Sequence, residues 1–269
     1  MPPRHVALLH GQPGSGSDWR PVVQRLPDDL LPVVLDRPGY GSNPQPAGDF
    51  AMNARAVLAE LDAMGIDRAV LVGHSYGGGV ALAAAQLAPD RVDALVLVAS
   101  VGPGCINGWD RLLAAPIAGP VCALAAWSLT PRFARARLAR IERLRRRPLE
   151  PDELVNWHVW GHSGHDHGPL WRTFLTEQRA LVNGLSYLVS DLPALATPTL
   201  VLADPLDTLI PIATAHALCD ALPDARLQLV QGAGHHLPRR AAGAVAEAIA
   251  RFLASLDSEA PKPCGPRAE

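Results

Sequence analysis

Residues 70–79 read VLVGHSYGGG: an apolar run leads to a serine with a glycine two positions away on either side, and an apolar helical pattern follows. A chain passes from strand to helix in so few residues only where the two backbones come very close, and glycine permits that approach. The serine is then held out at the carboxyl end of the strand, on a sharp and strained turn. The N–H groups that open the helix point at the same spot and favour negative charge there. A plain glycine-rich turn satisfies the same ten letters, so partners elsewhere in the chain decide between the two.

The surrounding sequence predicts a setting for such a turn. Apolar runs at Val6–His10, Pro32–Asp36, Ala69–Gly73, Ala94–Ala99, Thr199–Ala203 and Arg226–Val230 read as strands buried on both faces. Helical patterns lie at Ala51–Met64, Gly78–Ala88, Thr214–Ala221 and Arg239–Leu256. In the last of these Ala241, Val245, Ala248, Ile249 and Phe252 recur at three- and four-residue spacing. The alternation predicts an α/β fold, a mostly parallel doubly wound sheet with helices on each side. A length of 269 residues, 48% of them apolar, is ample for the core this needs.

The rhythm breaks between Gly102 and Pro193, where the chain is helical in character and has no convincing strand. Residues 102–193 are therefore expected to form a helical lid inserted between strands, with 1–101 and 194–256 as the core and 257–269 as a disordered tail. Within the insertion, residues 112–129 carry no charge over 18 positions, which meets a crude criterion for a membrane span. Pro116, Gly119 and Pro120 interrupt it, and a span would put halves of one sheet on opposite sides of a membrane, so no stable membrane insertion is expected. This apolar segment is expected to sit against the mouth of the site. Residues 131–147 follow with eight arginines and one glutamate, read as a solvated helix face or as a patch that attracts anions. His158, His162, His165 and His167 cluster near Trp157, Trp160 and Trp171, and are expected to line a pocket wall or loop rather than to bind metal.

Charge and cysteines narrow the function further. A formal net charge of −2 gives no reason to expect nucleic-acid binding. Cys105, Cys122, Cys219 and Cys264 are scattered without CxxC spacing and suggest neither a disulfide framework nor a zinc site. The first apolar run begins within five residues of the start and is too short for a signal-peptide core, so a cytoplasmic location is expected.

Five motifs in order make a resemblance specific. Gly73-His74-Ser75-Tyr76-Gly77 is G-x-S-x-G after a strand and before a helix. His10-Gly11-Gln12-Pro13-Gly14-Ser15 resembles an H-G-x-P loop, and Asp36-Arg37-Pro38-Gly39-Tyr40-Gly41-Ser42 a D-x-P-G-x-G-x-S turn. Pro198–Leu202 followed by Asp207 and Pro211 resembles an acid-bearing strand end, and Gly232-Ala233-Gly234-His235 followed by Pro238 a histidine loop. Over residues 6–252 the chain resembles an α/β-hydrolase of the Ser-His-Asp type. Relatives usually have a two-strand hairpin before the H-G-x-P strand; here that strand begins at Val6, which predicts a shorter sheet and leaves an exposed edge or homodimer contact open.

The resemblance implies Ser75 as nucleophile, His235 as its base and Asp207 as the acid that orients the histidine. His236 is the rival base and is read as a structural loop residue; Asp204 stands where relatives usually have glycine and is the rival acid. The oxyanion hole, by the same resemblance, uses the backbone N–H groups of Gln12 and Tyr76. His10, Gly11 and Asp36 are read as shaping their loops. Haloalkane dehalogenases and epoxide hydrolases place aspartate at the nucleophile position, and an epoxide hydrolase lid usually contributes two tyrosines where this insertion has Tyr187 alone, so neither activity is expected.

The reading is a serine hydrolase that needs no metal or cofactor and cleaves a carboxylic ester of a small or medium apolar acid through an acyl-enzyme. The alternatives are a carbon–carbon bond hydrolase, a lactonase or a perhydrolase with the same triad, or a hydrolase-like binding protein without turnover.

Overall fold

The computed structural model describes residues 3–146 and 170–258, with backbone alone over 130–135. Six strands form one sheet: β1 (Arg4–Leu9), β2 (Leu30–Leu35), β3 (Ala69–His74), β4 (Val92–Val98), β5 (Thr199–Ala203) and β6 (Ala225–Leu229). Their order is β2-β1-β3-β4-β5-β6, and every neighbouring pair is parallel. Parallel neighbours need crossovers: α1 (Phe50–Ala63) joins β2 to β3, α2 (Tyr76–Leu87) joins β3 to β4, the helices of the insertion join β4 to β5 and α6 (Ile212–Ala221) joins β5 to β6, while α7 (Ala242–Ser258) follows β6.

Each strand shows why its run lacks alternation. Ala7, Leu9, Leu71, Leu95 and Val201 face one core, shared with Phe50 and Val57 of α1, Val80 of α2 and Leu218 of α6. Val6, Leu8, Val70, Val72, Val96 and Leu202 face the other, against Val245, Ile249 and Phe252 of α7. A strand buried on both faces gains nothing from polar residues on either. The edge strands depart from the expected burial on both faces: Leu229 of β6 and Leu31 and Val34 of β2 are exposed, and Pro32 of β2 has no N–H to offer a further strand.

The insertion is helical among its described residues: α3 (Gly108–Ala114), α4 (Ala118–Arg145) and α5 (Leu170–Ser190). Asn107 caps α3 by accepting from the N–H groups of Trp109 and Asp110. Pro120 sits in the first turn of α4, where an N–H has no intrahelical acceptor to lose. The uncharged 112–129 segment is thus split between α3 and α4, which meet at 100°; among the described residues no single helix is long and apolar enough to cross a membrane. Leu112, Ile117, Val121, Leu124 and Leu129 are exposed, so this segment is less covered than its composition suggested. The arginine-rich stretch continues α4, and Arg137, Arg140, Arg143, Arg145 and Arg146 are exposed. The four-histidine cluster, Trp157, Trp160, Arg147, Cys264 and residues 259–269 lie outside the described residues.

Candidate active site

The strand order reverses between β1 and β3: the chain leaves β1 for the edge, then returns to the other side of β1. Loops leaving the carboxyl ends of two such strands diverge and leave a crevice between them. The loop after β1 carries His10, Gly11 and Gln12, and the turn after β3 carries Ser75. An ideal Cβ on Gly11 would lie 3.1 Å from the Cβ of Ser75, so the two loops touch here and the position tolerates little more than glycine.

Ser75 has φ 53° and ψ −119°, outside the ordinary regions for a residue with a side chain. Such a conformation costs about 1–3 kcal/mol and persists where the surroundings fix it. Here the Ser75 N–H donates to the Val98 carbonyl at 3.0 Å, and its own carbonyl accepts from Gly78 and Val101. A Cβ on Gly73 would stand 2.3 Å from the Gly77 carbonyl oxygen, and one on Gly77 would stand 2.4 Å from that of Leu9. Both distances are impossible, which is why this turn is built from those two glycines.

Ser75 Oγ lies 3.0 Å from His235 Nε2, and His235 Nδ1 lies 2.8 Å from Asp207 Oδ2. The other carboxylate oxygen of Asp207 accepts from the Leu209 and Ile210 N–H groups at 2.8 and 2.9 Å. An ionised carboxylate can only accept, so Nδ1 of His235 carries the proton and Nε2 presents its lone pair to the serine hydroxyl. The three residues named from sequence are thus brought into one hydrogen-bonded chain.

His236 does not join it: its ring stands edge-on to that of His235 at 5.7 Å, and burial, with the neighbouring His235 and two arginines, lowers its pKa to about 4. Asp204 differs from the exposed turn residue its position suggested. It is buried, accepts from Leu206 at 2.8 Å through one oxygen, and from Ala233 and Gly234 at 2.6 Å through the other. Burial opposes its charge, but these N–H donors outweigh the cost and hold its pKa below the usual carboxylate value. Asp204 therefore ties the end of β5 to the loop that carries His235.

Two more histidines support the site as neutral rings. His10 donates from Nδ1 to the Gly11 carbonyl at 2.8 Å and accepts the Arg37 N–H on Nε2 at 3.0 Å; burial, and then the Arg37 charge, lower its pKa to about 3. His74 bonds through Nε2 to the backbone carbonyl of His235 at 2.8 Å, and burial holds its pKa well below the usual value. Asp36 accepts from Gly16 and Ser42 and closes its turn, in keeping with a structural part.

Tyr76 opens α2, so its N–H has no acceptor within the helix. Among the described residues, the Gln12 N–H makes no backbone hydrogen bond in a turn, loop or cap. Tyr76 follows Ser75 in the chain, and Gln12 follows Gly11, whose loop touches the Ser75 turn.

Sequence reasoning missed Arg37 and Glu177. Both are fully buried and form an ion pair, although 140 residues separate them. All five guanidinium N–H groups are used. Nε donates to the His10 carbonyl at 2.9 Å, Nη1 to Asn53 Oδ1 at 3.2 Å and to Glu177 Oε1, and Nη2 to the Gly11 carbonyl at 3.0 Å and to Glu177 Oε2 at 3.1 Å. The Tyr40 hydroxyl donates to Glu177 Oε2 at 2.8 Å. Burial lifts the Glu177 carboxyl above its usual range against the pull of Arg37, while Glu177 keeps Arg37 firmly protonated. Helix α5 of the insertion is thus joined to the two carbonyls of the loop that leads to Gln12. The signal available in sequence was one acidic residue among the apolar positions of 170–190. Among the described residues, no group of three or more His, Cys, Asp or Glu side chains could hold a metal ion.

Comparison with known proteins identifies the family and the fold. The family model described as alpha/beta hydrolase fold matches residues 4–238. The chain is 31% identical over 264 residues to 2-hydroxymuconate semialdehyde hydrolase of Pseudomonas sp. (strain CF600), an alignment that covers 95% of this chain and 88% of that protein. Among solved structures it resembles a thermophilic esterase from Thermogutta terrifontis, with TM-score 0.74, 22% identity, and 94% and 90% of the two chains covered. It also resembles an N-acyl homoserine lactone degrading enzyme, with TM-score 0.68, 24% identity and 93% of each chain covered.

Proposed function

Because the chain belongs to the α/β-hydrolase fold family, we propose that it is a serine hydrolase that cleaves a carboxylic ester of a small or medium apolar acid through an acyl-enzyme. Ser75 Oγ attacks the acyl carbon while His235 Nε2 takes its proton, and Asp207 stabilises the imidazolium without taking that proton. The N–H groups of Gln12 and Tyr76 receive the oxyanion. His235 then protonates the leaving group, and in the second half it removes a proton from water, which attacks the acyl carbon and releases the acid. The described helices between β4 and β5, α3, α4 and α5, act as the lid under which an apolar acyl group is received. The observation that carries this reading is the chain from Ser75 Oγ through His235 to Asp207, at 3.0 and 2.8 Å, with the serine on a strained turn.

A second reading is hydrolysis of a carbon–carbon bond next to a carbonyl, favoured by the 31% identity to a semialdehyde hydrolase. The free cysteines Cys105, Cys122 and Cys219 suit a reducing compartment, and we place the reaction in the cytoplasm. The test is turnover of a p-nitrophenyl ester chain-length series by the wild type and by Ser75→Ala, with fluorophosphonate labelling of both. The expected result is labelling at Ser75 alone and a fall in turnover of several orders of magnitude in the variant, with about 10³-fold catalysis over water remaining. Absence of ester turnover alongside labelling would favour the carbon–carbon reading, and absence of both would favour a binding protein.

A further inference from the structure

The side chain of Gln12 has a part in the site separate from its backbone N–H. On the far side of the insertion, Asp110 of α3 accepts the Gln178 Nε2–H on Oδ1 at 2.9 Å, while its Oδ2 accepts the Asn107 N–H at 2.8 Å. Gln178 of α5 in turn accepts the Gln12 Nε2–H on its Oε1 at 2.8 Å. The carboxylate decides the orientation of both amides. It can only accept, so Gln178 must turn its NH2 towards Asp110 and its oxygen towards Gln12. Gln12 must then turn its own NH2 towards Gln178, which leaves Oε1 as its other face.

That oxygen is buried and has no hydrogen-bond partner among the described residues. Leaving a buried acceptor unpaired costs about 1–3 kcal/mol, yet the chain from Asp110 holds it in that state. Its place is constrained by covalent geometry: it belongs to the residue that offers the oxyanion N–H, and its amide bridges from that loop to α5. Its amide therefore links the loop that touches the Ser75 turn to α5 of the insertion.

We propose that Gln12 Oε1 is a specificity-determining acceptor for a hydrogen-bond donor, a hydroxyl or N–H, on the atom next to the reacting carbonyl. This rests on the serine hydrolase reading and narrows it from apolar acyl groups in general to those with a donor at that one position. A site built to pair with such a group discriminates against an isostere that lacks it, because the acceptor is then left buried and unpaired. Gln178 and Asp110 act as positioning residues that keep the oxygen, and not the NH2, turned to the substrate.

The experiment compares p-nitrophenyl glycolate with p-nitrophenyl propionate, a hydroxyl against a methyl at the same position. It uses the wild type, Gln12→Met and Gln178→Leu. The readout is the ratio of kcat/KM for the two esters, and comparing this ratio between proteins cancels their different intrinsic reactivity. Gln12→Met is expected to lower the ratio about tenfold or more, whatever happens to the absolute rates, and Gln178→Leu to lower it partway by freeing the amide to turn. A ratio unchanged in Gln12→Met overturns the proposal and leaves Oε1 to a bound water, as does a ratio lowered only in Gln178→Leu. If the wild type turns over neither ester and Ser75 resists the fluorophosphonate, the serine hydrolase reading fails first and takes this inference with it.

Discussion

Replacing Glu177 with alanine removes the carboxylate from a cage in which all five N–H groups of Arg37 are spoken for. Three would keep partners, in the His10 and Gly11 carbonyls and Asn53, and two would be left facing a void with the charge uncompensated. Both side chains are fully buried, so water cannot make good the loss. Breaking a buried pair in this way costs about 3–5 kcal/mol, a large part of the roughly 5–15 kcal/mol that holds a typical domain together. For a chain of this size that corresponds to about 6–10 °C in Tm. Thermal unfolding followed by tryptophan fluorescence at pH 7.5 reads it directly. The double variant Arg37→Met/Glu177→Met removes the charge altogether and should lose less than the sum of the two single variants. A Tm for Glu177→Ala within about 2 °C of the wild type, or strictly additive losses in the double variant, would refute the view that α5 is held by this pair.

Lowering the pH from 7.5 to 5.5 should destabilise the protein by about 3–4 kcal/mol, seen as a lower urea midpoint. His10 has its pKa lowered to about 3, His236 to about 4 and His74 well below its usual value, so below about 6.5 the unfolded chain binds protons that the folded one refuses; stability is complete above that pH and declines as it falls, and an unchanged midpoint would show that these rings protonate in place. Asp204→Asn should keep most of the turnover, since one amide oxygen can still accept from Ala233 and Gly234, whereas Asp204→Ala should lower kcat about tenfold or more by freeing the His235 loop; equal kcat in the two variants counts against that role. Gly77→Ala puts a methyl 2.4 Å from the Leu9 carbonyl and should cost at least about 1–3 kcal/mol in unfolding free energy, a loss that wild-type stability in the variant would contradict.

The parts of this fold legible in sequence are those set by local pattern. The six strands begin and end within two residues of their expected bounds, and for the four inner ones the reason is that a strand buried on both faces is a continuous apolar run with few other readings; β2 and β6 are not buried on both faces as expected. Ser75, His235 and Asp207 were legible because each sits on a loop whose glycines and prolines mark it out. The expected helix from Arg239 to Leu256 instead divides at Ala241, as Leu237–Arg240 and α7, since Pro238 starts a short first turn and apolar spacing alone does not register a break. Arg37 and Glu177 left one local trace, an acidic residue among the apolar positions of 170–190, and their pairing across 140 residues is a product of tertiary packing. The part of Asp204, read as the rival acid, was not legible for a related reason, because an aspartate beside the expected acid looks the same whether its oxygens face the histidine or the N–H groups of another loop.

The linkage of α5 to Arg37 divides the insertion by timescale. α5 packs on α1 and α2 of the core, and its departure would cost the several kcal/mol of a buried ion pair, so it stays in place through thousands of thermal attempts. α4 packs on α3 and α5 instead, and carries Ile117, Val121 and Leu124 exposed along its first half. α3 stays joined to α5 by the Asp110–Gln178 hydrogen bond, so substitutions that loosen α4 are expected to alter passage to the site while α3 and α5 remain together. The rate at which the site admits a molecule and the fidelity with which it holds the oxyanion loop can then change independently, one by substitutions in α4 and the other by substitutions around Glu177.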